Sequence, residues 1–253
     1  MKNKRQDLIL KQIEKNKMVT VQDLSETYKV SEMTVRRDLI ELEKQGLIKR
    51  LHGGASKITN NRKSELVYSE LSHDHKMSMN IELKHEIARK IAAQIENDEL
   101  IFLGAGTTIE LVSELIEEKT LKVITNSLAL FMKLKAQKNK GLILIGGTFR
   151  ERTSSFVGTL ANESLENLRV HKAFIGVNAI DDDVIMNYNE EEGITQQKIL
   201  NNATIKYIVA DNTKLDQVDF YHFYNLSDCD YLITDSQTDQ NVLKRYEKNI
   251  KVL

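Results

Sequence analysis

The sequence predicts an α/β protein in which a small winged helix-turn-helix domain precedes a larger domain built on a parallel sheet. Residues 1–57 combine helical periodicity, helix caps and a short basic segment that ends in glycines. From residue 100 onward, continuous apolar runs alternate with helical segments, which is typical of a parallel sheet covered on both faces. Residues 58–80 are polar with little periodicity and predict a linker. We therefore expect domains at residues 1–57 and 81–253.

The composition excludes several classes of protein. With 253 residues and 41% hydrophobic content, the chain can bury a sizeable core. It has no run of about 18 apolar residues that would predict a membrane span. Its first residues pass from charge directly into helical periodicity, so we expect no signal peptide. The single Cys229 allows no internal disulfide and fits a reducing compartment, so we expect the cytoplasm.

Charge is distributed unevenly along the chain. Residues 1–57 hold 13 Lys and Arg against 8 Asp and Glu, a net charge of +5. The remaining residues hold 23 basic and 29 acidic side chains, a net charge of −6, out of totals of 36 and 37. A basic N-terminal domain on an acidic body predicts that this domain binds a polyanion.

Two short helices are predicted before the turn YKV. Apolar Ile9 and Ile13 give residues 5–16 the spacing of an amphipathic helix. Thr20 is predicted as the N-cap of the second helix, because Asp23 follows three residues later as an acidic variant of the capping box.

A third helix is predicted after Ser31, which has the residue type and position of an N-cap. Its apolar residues Val35, Leu39 and Leu42 fall at i, i+4 and i+7, so they form one buried stripe. Arg37 lies about 200° around the helix from Val35 and therefore faces away from that stripe. Two helices joined by a tight turn, the second exposed and basic at its N-terminal half, are typical of a helix-turn-helix.

This arrangement predicts contacts with DNA. The N-terminal residues of the second helix in such a motif enter the major groove, where Arg can donate two hydrogen bonds to guanine. The next segment, LIKRLHGGA, predicts two short strands with a basic tip, a wing that contacts phosphates. A surface helix with a solvated arginine pair is the alternative. The side chains expected to contact DNA are Ser31, Thr34, Arg36, Arg37, Lys49, Arg50 and His52.

Six apolar runs predict the strands of the larger domain: LIFLGAGTT, LKVITNS, LILIGGTFR, KAFIGVN, KYIVADNTK and YLITDS. Each run ends in small or polar residues. Because ligands of open parallel sheets bind at the carboxyl ends of the strands, a ligand site is expected where these residues meet.

The turn GAGTT at residues 104–108 is neither of the common nucleotide-binding motifs. Ile109 takes the place of the third glycine of a dinucleotide fingerprint, and the lysine of a P-loop is absent. Backbone N–H groups and two hydroxyls at a helix N-terminus remain, which suit a phosphate group. A tight strand-to-helix turn without a ligand is the alternative.

The helix-turn-helix segment resembles, in residue order and spacing, the signature of the DeoR family of bacterial repressors, at Arg5, Ile9, Ile13, Ser31, Thr34, Val35, Arg36, Arg37, Asp38 and Leu39. The segments GAGTT, TNS, GG-x-FR and D-x-TK resemble the sugar-phosphate-binding domain of that family, which is similar in fold to ribose-5-phosphate isomerase. The resemblance implies a repressor of a carbohydrate-utilisation operon. Such a repressor would bind operator DNA as a dimer or tetramer and respond to a sugar phosphate.

Polar residues at the strand ends, with one acidic residue of a later helix, are the expected effector ligands: Gly104, Gly106, Thr107, Thr108, Asn126, Gly147, Arg150, Glu192, Asp211 and Lys214. One departure from the family is informative. Most members place a basic residue, usually Lys, in the helix near EEEGITQQKIL, where this chain has Thr195, Gln196 and Gln197. That pattern resembles a branch of the family whose effector is tagatose 6-phosphate.

Two other functions remain open. An isomerase-like enzyme with a DNA-binding appendage would need a positioned base, and Asp211 and Glu192 are candidates without a recognisable acid–base partner set. A constitutive DNA binder whose body only oligomerises is disfavoured by the density of polar residues at the strand ends. His73 and His75 have only His85 nearby, a spacing that predicts no metal site. We expect no catalytic residues, no cofactor and no metal.

Overall fold

The computed structural model describes residues 2–16, 18–44, 47–51, 54–57, 70, 72–138 and 140–253. The chain divides into two compact units, Met1–Arg62 and Lys63–Leu253. The predicted DNA contact His52 and the side chains of Lys49 and Arg50 lie outside the described part of the chain.

The first unit is a winged helix-turn-helix. Its elements are α1 (Lys2–Asn16), β1 (Met18–Thr20), α2 (Val21–Tyr28), α3 (Glu32–Lys44), β2 (Ile48–Leu51) and β3 (Gly54–Lys57). Strands β2 and β3 form the predicted antiparallel wing. Strand β1, which the sequence did not predict, pairs with the other side of β3, so the wing belongs to a three-stranded sheet. A three-residue strand is too short to show a periodic pattern.

Local hydrogen bonds explain where the helices of this unit begin and end. Thr20 Oγ1 accepts a hydrogen bond from Asp23 N at 3.0 Å, and Ser31 Oγ accepts one from Thr34 N at 3.3 Å, which confirms both predicted N-caps. Helix α2 ends at Lys29, whose φ of 50° lies in the left-handed region.

The core of the first unit is the predicted apolar stripe. Val35, Leu39 and Leu42 are buried, and they belong to one cluster with residues of α1 and the small sheet. Arg5 Nε lies 2.5 Å from Asp38 Oδ2, and Asp38 is only 1% exposed. This ion pair ties α1 to α3, because each helix contributes one partner.

The second unit is built on a seven-stranded parallel sheet. Its strands are β4 (Leu100–Leu103), β5 (Leu121–Thr125), β6 (Lys140–Leu144), β9 (Val170–Gly176), β12 (Ala203–Val209), β14 (Tyr231–Ile233) and β15 (Lys251–Val252). They lie in the order β15-β14-β12-β9-β4-β5-β6, and every neighbouring pair is parallel. All six predicted strands are therefore confirmed.

Short antiparallel strands lie in three of the connections between these strands. A hairpin joins β7 (Thr148–Arg150) to β8 (Ser155–Val157), and a second sheet has the order β10-β11-β13. The strands of that sheet are β10 (Ala179–Asp181), β11 (Val184–Asn187) and β13 (Tyr221–Asn225).

Helices cover both faces of the parallel sheet. They are α4 (His73–Ser78), α5 (Ile81–Ala93), α6 (Thr107–Glu110), α7 (Val112–Leu115), α8 (Leu128–Lys135), α9 (Thr159–Leu165), α10 (Glu190–Asn201) and α11 (Gln240–Tyr246). Ile175 and Phe174, adjacent on β9, belong to two different buried clusters, so both faces are packed. Among the described helices, none is both long and apolar enough to cross a bilayer.

Two expectations about this unit need correction. The helix expected after the GAGTT turn is divided into α6 and α7, with Leu111 between them. The segment expected to be a linker contains α4, which begins at the N-cap Ser72. Six residues of mixed polarity show too little periodicity for a helix to be predicted.

Candidate functional site

The outer face of α3 carries the residues expected to contact DNA. Arg36 and Arg37 are exposed, as the sequence predicts. Arg36 Nη2 lies 3.4 Å from Glu32 Oε2, an exposed pair of the kind that contributes little stability. The hydroxyls of Ser31 and Thr34 lie 2.9 Å apart at the start of the helix.

A cavity lies at the carboxyl ends of three adjacent strands of the second unit. Residues that follow each of the strands β4, β9 and β12 line it, which is the expected place for a ligand in an open parallel sheet. Six of the ten expected effector ligands are in its wall: Gly106, Thr107, Thr108, Glu192, Asp211 and Lys214.

The turn after β4 brings the backbone N–H groups of Thr107 and Thr108 to the cavity. Gly106 has φ +150°, a conformation that side chains disfavour, and this lets the chain turn directly into α6. The first N–H groups of a helix have no partner within it, so those of Thr107 and Thr108 suit an anion. Because α6 has only four residues, its dipole adds little, and the local N–H groups carry the attraction.

Three of the remaining four expected ligands support the wall instead of forming it. Asn126 Oδ1 accepts a hydrogen bond from Ala105 N at 3.2 Å, so it holds the turn after β4 in place. A Cβ atom at Gly104 would lie 3.1 Å from Phe174 O, and one at Gly147 would lie 2.7 Å from Val157 O. A side chain does not fit at Gly147, whose φ is +153°, whereas at Gly104 it would make a tight contact that its neighbours must relieve.

Arg150, the fourth, is engaged by a residue of the expected linker. Its guanidinium forms a two-pronged ion pair with the buried Glu70, with Nη1 2.8 Å from Oε1 and a second contact from Nη2 to Oε2. Nη1 also lies 3.9 Å from Glu192 Oε2. Arg150 does not line the cavity. Its guanidinium instead holds Glu70 and lies beside Glu192, which does line the cavity.

Basic side chains from α4 and α5 form one side of the cavity, and the sequence did not single them out. Lys76 and Lys84 line it together with Lys214. Lys76 Nζ donates to Asn178 Oδ1 at 3.2 Å, and Lys84 Nζ donates to Lys76 O. Burial lowers the pKa of both Lys76 and Lys84, and the charge of Lys214 adds to this lowering. A bound anion would offset that cost of burial.

Acidic and amide groups line the cavity as well. Burial raises the pKa of Glu192, and the charges of Lys76 and Arg150 oppose this rise. Asp211 Oδ1 accepts a hydrogen bond from Thr213 N at 3.0 Å and so shapes the turn that carries Lys214. The cavity therefore combines cationic groups with neutral and acidic hydrogen-bonding groups, and Lys76 and Asn178 contact each other directly.

One of the residues that depart from the family pattern, Gln196, has a structural role beside the cavity. Gln196 Oε1 accepts a hydrogen bond from Asn187 Nδ2 at 2.6 Å, and Asn187 Oδ1 accepts one from Asn178 N at 3.1 Å. Asn178 in turn accepts from Lys76. Gln196 does not line the cavity itself, but it fixes two asparagines that do.

Some of the missed lining residues had a signal in the sequence. Asn178 is the last residue of the predicted run KAFIGVN, at the carboxyl end where the other ligands were sought. Lys76, Lys84 and His73 precede the first strand of the sheet, so no strand-end rule indicates them. His73 Nε2 lies 2.7 Å from Oε1 of the buried Glu110, which anchors α4 to α6. Within the described ranges, no cluster of His, Cys, Asp and Glu could hold a metal ion.

A helix-turn-helix unit followed by an α/β unit with a polar, partly cationic cavity defines a ligand-sensing regulator of transcription. Comparison with protein families agrees with this class. Residues 5–61 match the DeoR-like helix-turn-helix domain, and residues 79–236 match the DeoR C terminal sensor domain. This chain belongs to the DeoR family.

Comparison with individual relatives shows which members of the family this chain is similar to. The chain is 41% identical to the lactose phosphotransferase system repressor of Streptococcus mutans, over 96% of this chain and 96% of that protein. It is 37% identical to the repressor of the same name from Lactococcus lactis subsp. lactis, over 100% of this chain and 98% of that protein. Within the family, the chain is thus similar over nearly its whole length to the lactose phosphotransferase system repressors.

Among solved structures, ribose 5-phosphate isomerase A from Methanocaldococcus jannaschii is similar to this chain. The two are 21% identical with a TM-score of 0.40, over 54% of this chain and 55% of that one.

Proposed function

We propose that this protein represses a carbohydrate-utilisation operon in the cytoplasm and that a sugar phosphate bound in the second unit changes its affinity for operator DNA. The observation that carries the proposal is the combination of an exposed arginine pair on α3 of a DeoR-like helix-turn-helix with a partly cationic cavity at the strand ends. The relatives named lactose phosphotransferase system repressor support the regulated class of genes.

The phosphate group of the effector would lie among the cations. Lys76, Lys84 and Lys214 line one cavity with the N-terminal turn of α6, whose Thr107 and Thr108 offer N–H groups and hydroxyls. A phosphate dianion accepts hydrogen bonds from all of these donors and offsets the unfavourable burial of the lysines. This placement replaces Arg150 with Lys76 and Lys84 as the cationic contacts.

The sugar hydroxyls would then contact the amide and carboxylate groups of the cavity. Asn178 and Asn187 offer both donors and acceptors there, while Asp211 and Glu192 offer acceptors. We propose tagatose 6-phosphate as the effector, because the chain resembles the branch of the family that responds to it. A lactose or galactose operon would be the regulated target.

Gel-shift titrations test the proposal. The full-length protein would first select its binding site from a library of random duplexes, and that operator would then be titrated with tagatose 6-phosphate. Glucose 6-phosphate and inorganic phosphate serve as controls. We expect the operator affinity to change at a lower concentration of tagatose 6-phosphate than of either control. An affinity that no sugar phosphate changes would contradict the sensing role.

One observation favours a second function, an isomerase-like activity. Glu192 is a buried carboxyl beside the cavity, and burial raises its pKa, as is found for general bases. Incubating the protein with ketose and aldose phosphates and measuring their interconversion separates the two functions. Turnover would support the enzyme, whereas a change in operator affinity without turnover supports the repressor.

Arg37→Ala should weaken operator binding and relax its sequence specificity. Arg37 is exposed on α3 and faces away from the buried stripe, so it is placed to donate two hydrogen bonds to guanine. Losing one such contact should cost about 1–3 kcal/mol, roughly 5- to 150-fold in affinity. Lys135→Ala on α8 removes the same charge from the other unit and should leave binding unchanged. Equal affinity and unchanged base preference in Arg37→Ala would contradict the assignment.

The protein should act as a homo-oligomer, a dimer or tetramer. One helix-turn-helix contacts too few base pairs to be specific among genomic competitors, so two copies should read two half-sites. Sedimentation of the free protein and of the operator complex should give at least two chains per complex. Only monomers in both samples would refute this.

A further inference from the structure

Met33 is the most exposed large apolar side chain in the described part of this chain. It is 71% exposed, and it lies in the first turn of α3. Its neighbours in sequence, Ser31, Glu32 and Thr34, are polar and account for the start of the helix. Among the described residues of the first unit, the core is formed by others, so their packing does not account for a thioether at this position.

The face on which Met33 lies is the one that carries Arg37. Residues four apart are neighbours on a helix surface, so Met33 and Arg37 are adjacent on the side opposite the buried Val35. Ile40, 37% exposed, follows three residues after Arg37. Exposed apolar side chains therefore precede and follow the arginine on the side of α3 that the domain core leaves uncovered.

DNA offers one apolar group in the major groove, the C5 methyl of thymine. Residues near the N-terminus of the second helix of a helix-turn-helix contact base edges, and Met33 is the second residue of α3. Methionine is unbranched and polarizable, so it can contact a methyl group without a fixed rotamer. A hydrogen-bonding group cannot read this methyl, so its recognition requires an apolar contact.

We propose that Met33 determines operator specificity by contacting a thymine methyl group next to the base that Arg37 reads. The inference rests on the proposed DNA-binding function and adds a residue and a base feature to it. An apolar surface that instead docks another protein would leave operator affinity independent of the methyl group.

Deoxyuridine substitution tests this contact, because it removes only the C5 methyl of thymine. The operator selected by the full-length protein would be prepared with each thymine replaced in turn, and each dissociation constant measured by fluorescence anisotropy. We expect at least one position in each half-site to lose about fourfold in affinity, which corresponds to one buried methyl group of about 0.8 kcal/mol. Met33→Ala should bind the thymine operator about fourfold or more weakly and show no further loss at those positions.

Two variants serve as controls. Met33→Leu keeps an apolar contact and should retain sensitivity to deoxyuridine. Met132→Ala removes another exposed methionine, on α8, and should behave as the unaltered protein. Because Met33 is exposed and alanine favours helices, Met33→Ala should unfold at an unchanged temperature.

The possible failures are distinguishable. If no duplex is selected at all, the proposed DNA-binding function itself fails. If a duplex is selected but no deoxyuridine position matters, Met33 does not read a methyl group. Met33→Ala that is as sensitive to deoxyuridine as the unaltered protein would show that another residue makes the contact. Either of the last two results overturns the proposal while leaving repression intact.

Discussion

Replacing Thr108 by aspartate is expected to abolish the response of operator binding to the sugar phosphate while leaving operator binding itself intact. Thr108 lies in the first turn of α6 and lines the cavity beside the three lysines. A carboxylate there places a negative charge where the phosphate is proposed to bind, and it competes for the same cations. An acidic residue in the first turn of a helix is compatible with folding.

The measurement is a titration of tagatose 6-phosphate against a preformed operator complex. The unaltered protein should change its affinity for the operator, and Thr108→Asp should not respond at 100 times the effective concentration. Thr108→Asn is the neutral control, because asparagine has nearly the same size as aspartate. It should keep most of the response, which separates the effect of the charge from that of the side-chain shape. If Thr108→Asp responds at the same concentration as the unaltered protein, the phosphate binds elsewhere.

The first unit could be predicted from the sequence because its signals are local. Thr20 and Ser31 are N-caps in residue type and in geometry, and the stripe that contains Val35 follows the helical period. Hydrogen bonds and periodicity within a few residues specify these features, so no distant contact is needed. The three-residue strand β1 was missed because only its distant partner, β3, makes it a strand.

The parallel sheet could be predicted for the same reason, but the cavity only in part. Apolar runs such as the one at β9 give the strands, and the strand-end rule then gives Thr108 and Asp211. Lys76 and Lys84 lie before the sheet in sequence, and only the packing of α4 and α5 brings them to the strand ends. Sequence spacing carries no information about such a contact.

Arg150 was expected to contact the effector, and the structure shows it paired with another residue of the chain instead. Its position after the GG turn suggested a free cation for a phosphate, yet Glu70, about 80 residues earlier in the chain, occupies the guanidinium. Burial alone would lower the pKa of Arg150, but the ion pair with Glu70 and the charge of Glu192 raise it above its ordinary value. Glu70, in the segment expected to be a linker, therefore supports the cavity wall through its contacts with Arg150 and Arg152.

Glu70→Gln should lower the free energy of unfolding of the second unit by about 3 kcal/mol. The Glu70 side chain is 2% exposed and that of Arg150 is 16% exposed, so removing one charge leaves the other largely without water. Breaking a buried ion pair by removing one partner typically costs about 3–5 kcal/mol. The lower end applies here because Arg150 Nη1 also donates to Thr153 Oγ1 at 3.4 Å. The backbone contact from Arg152 to Glu70 O survives the substitution.

Urea unfolding followed by tyrosine fluorescence measures this loss, because seven of the eight tyrosines lie in the second unit. Glu166→Gln is the matched control, since Glu166 pairs with Lys198 at 3.4 Å and its side chain is 65% exposed. That variant should change stability by less than about 1 kcal/mol, the range of surface ion pairs. Equal stability losses in the two variants would show that water solvates Arg150 well enough to make Glu70 dispensable. A large loss confined to Glu70→Gln would establish that the ion pair between Glu70 and Arg150 stabilises the second unit.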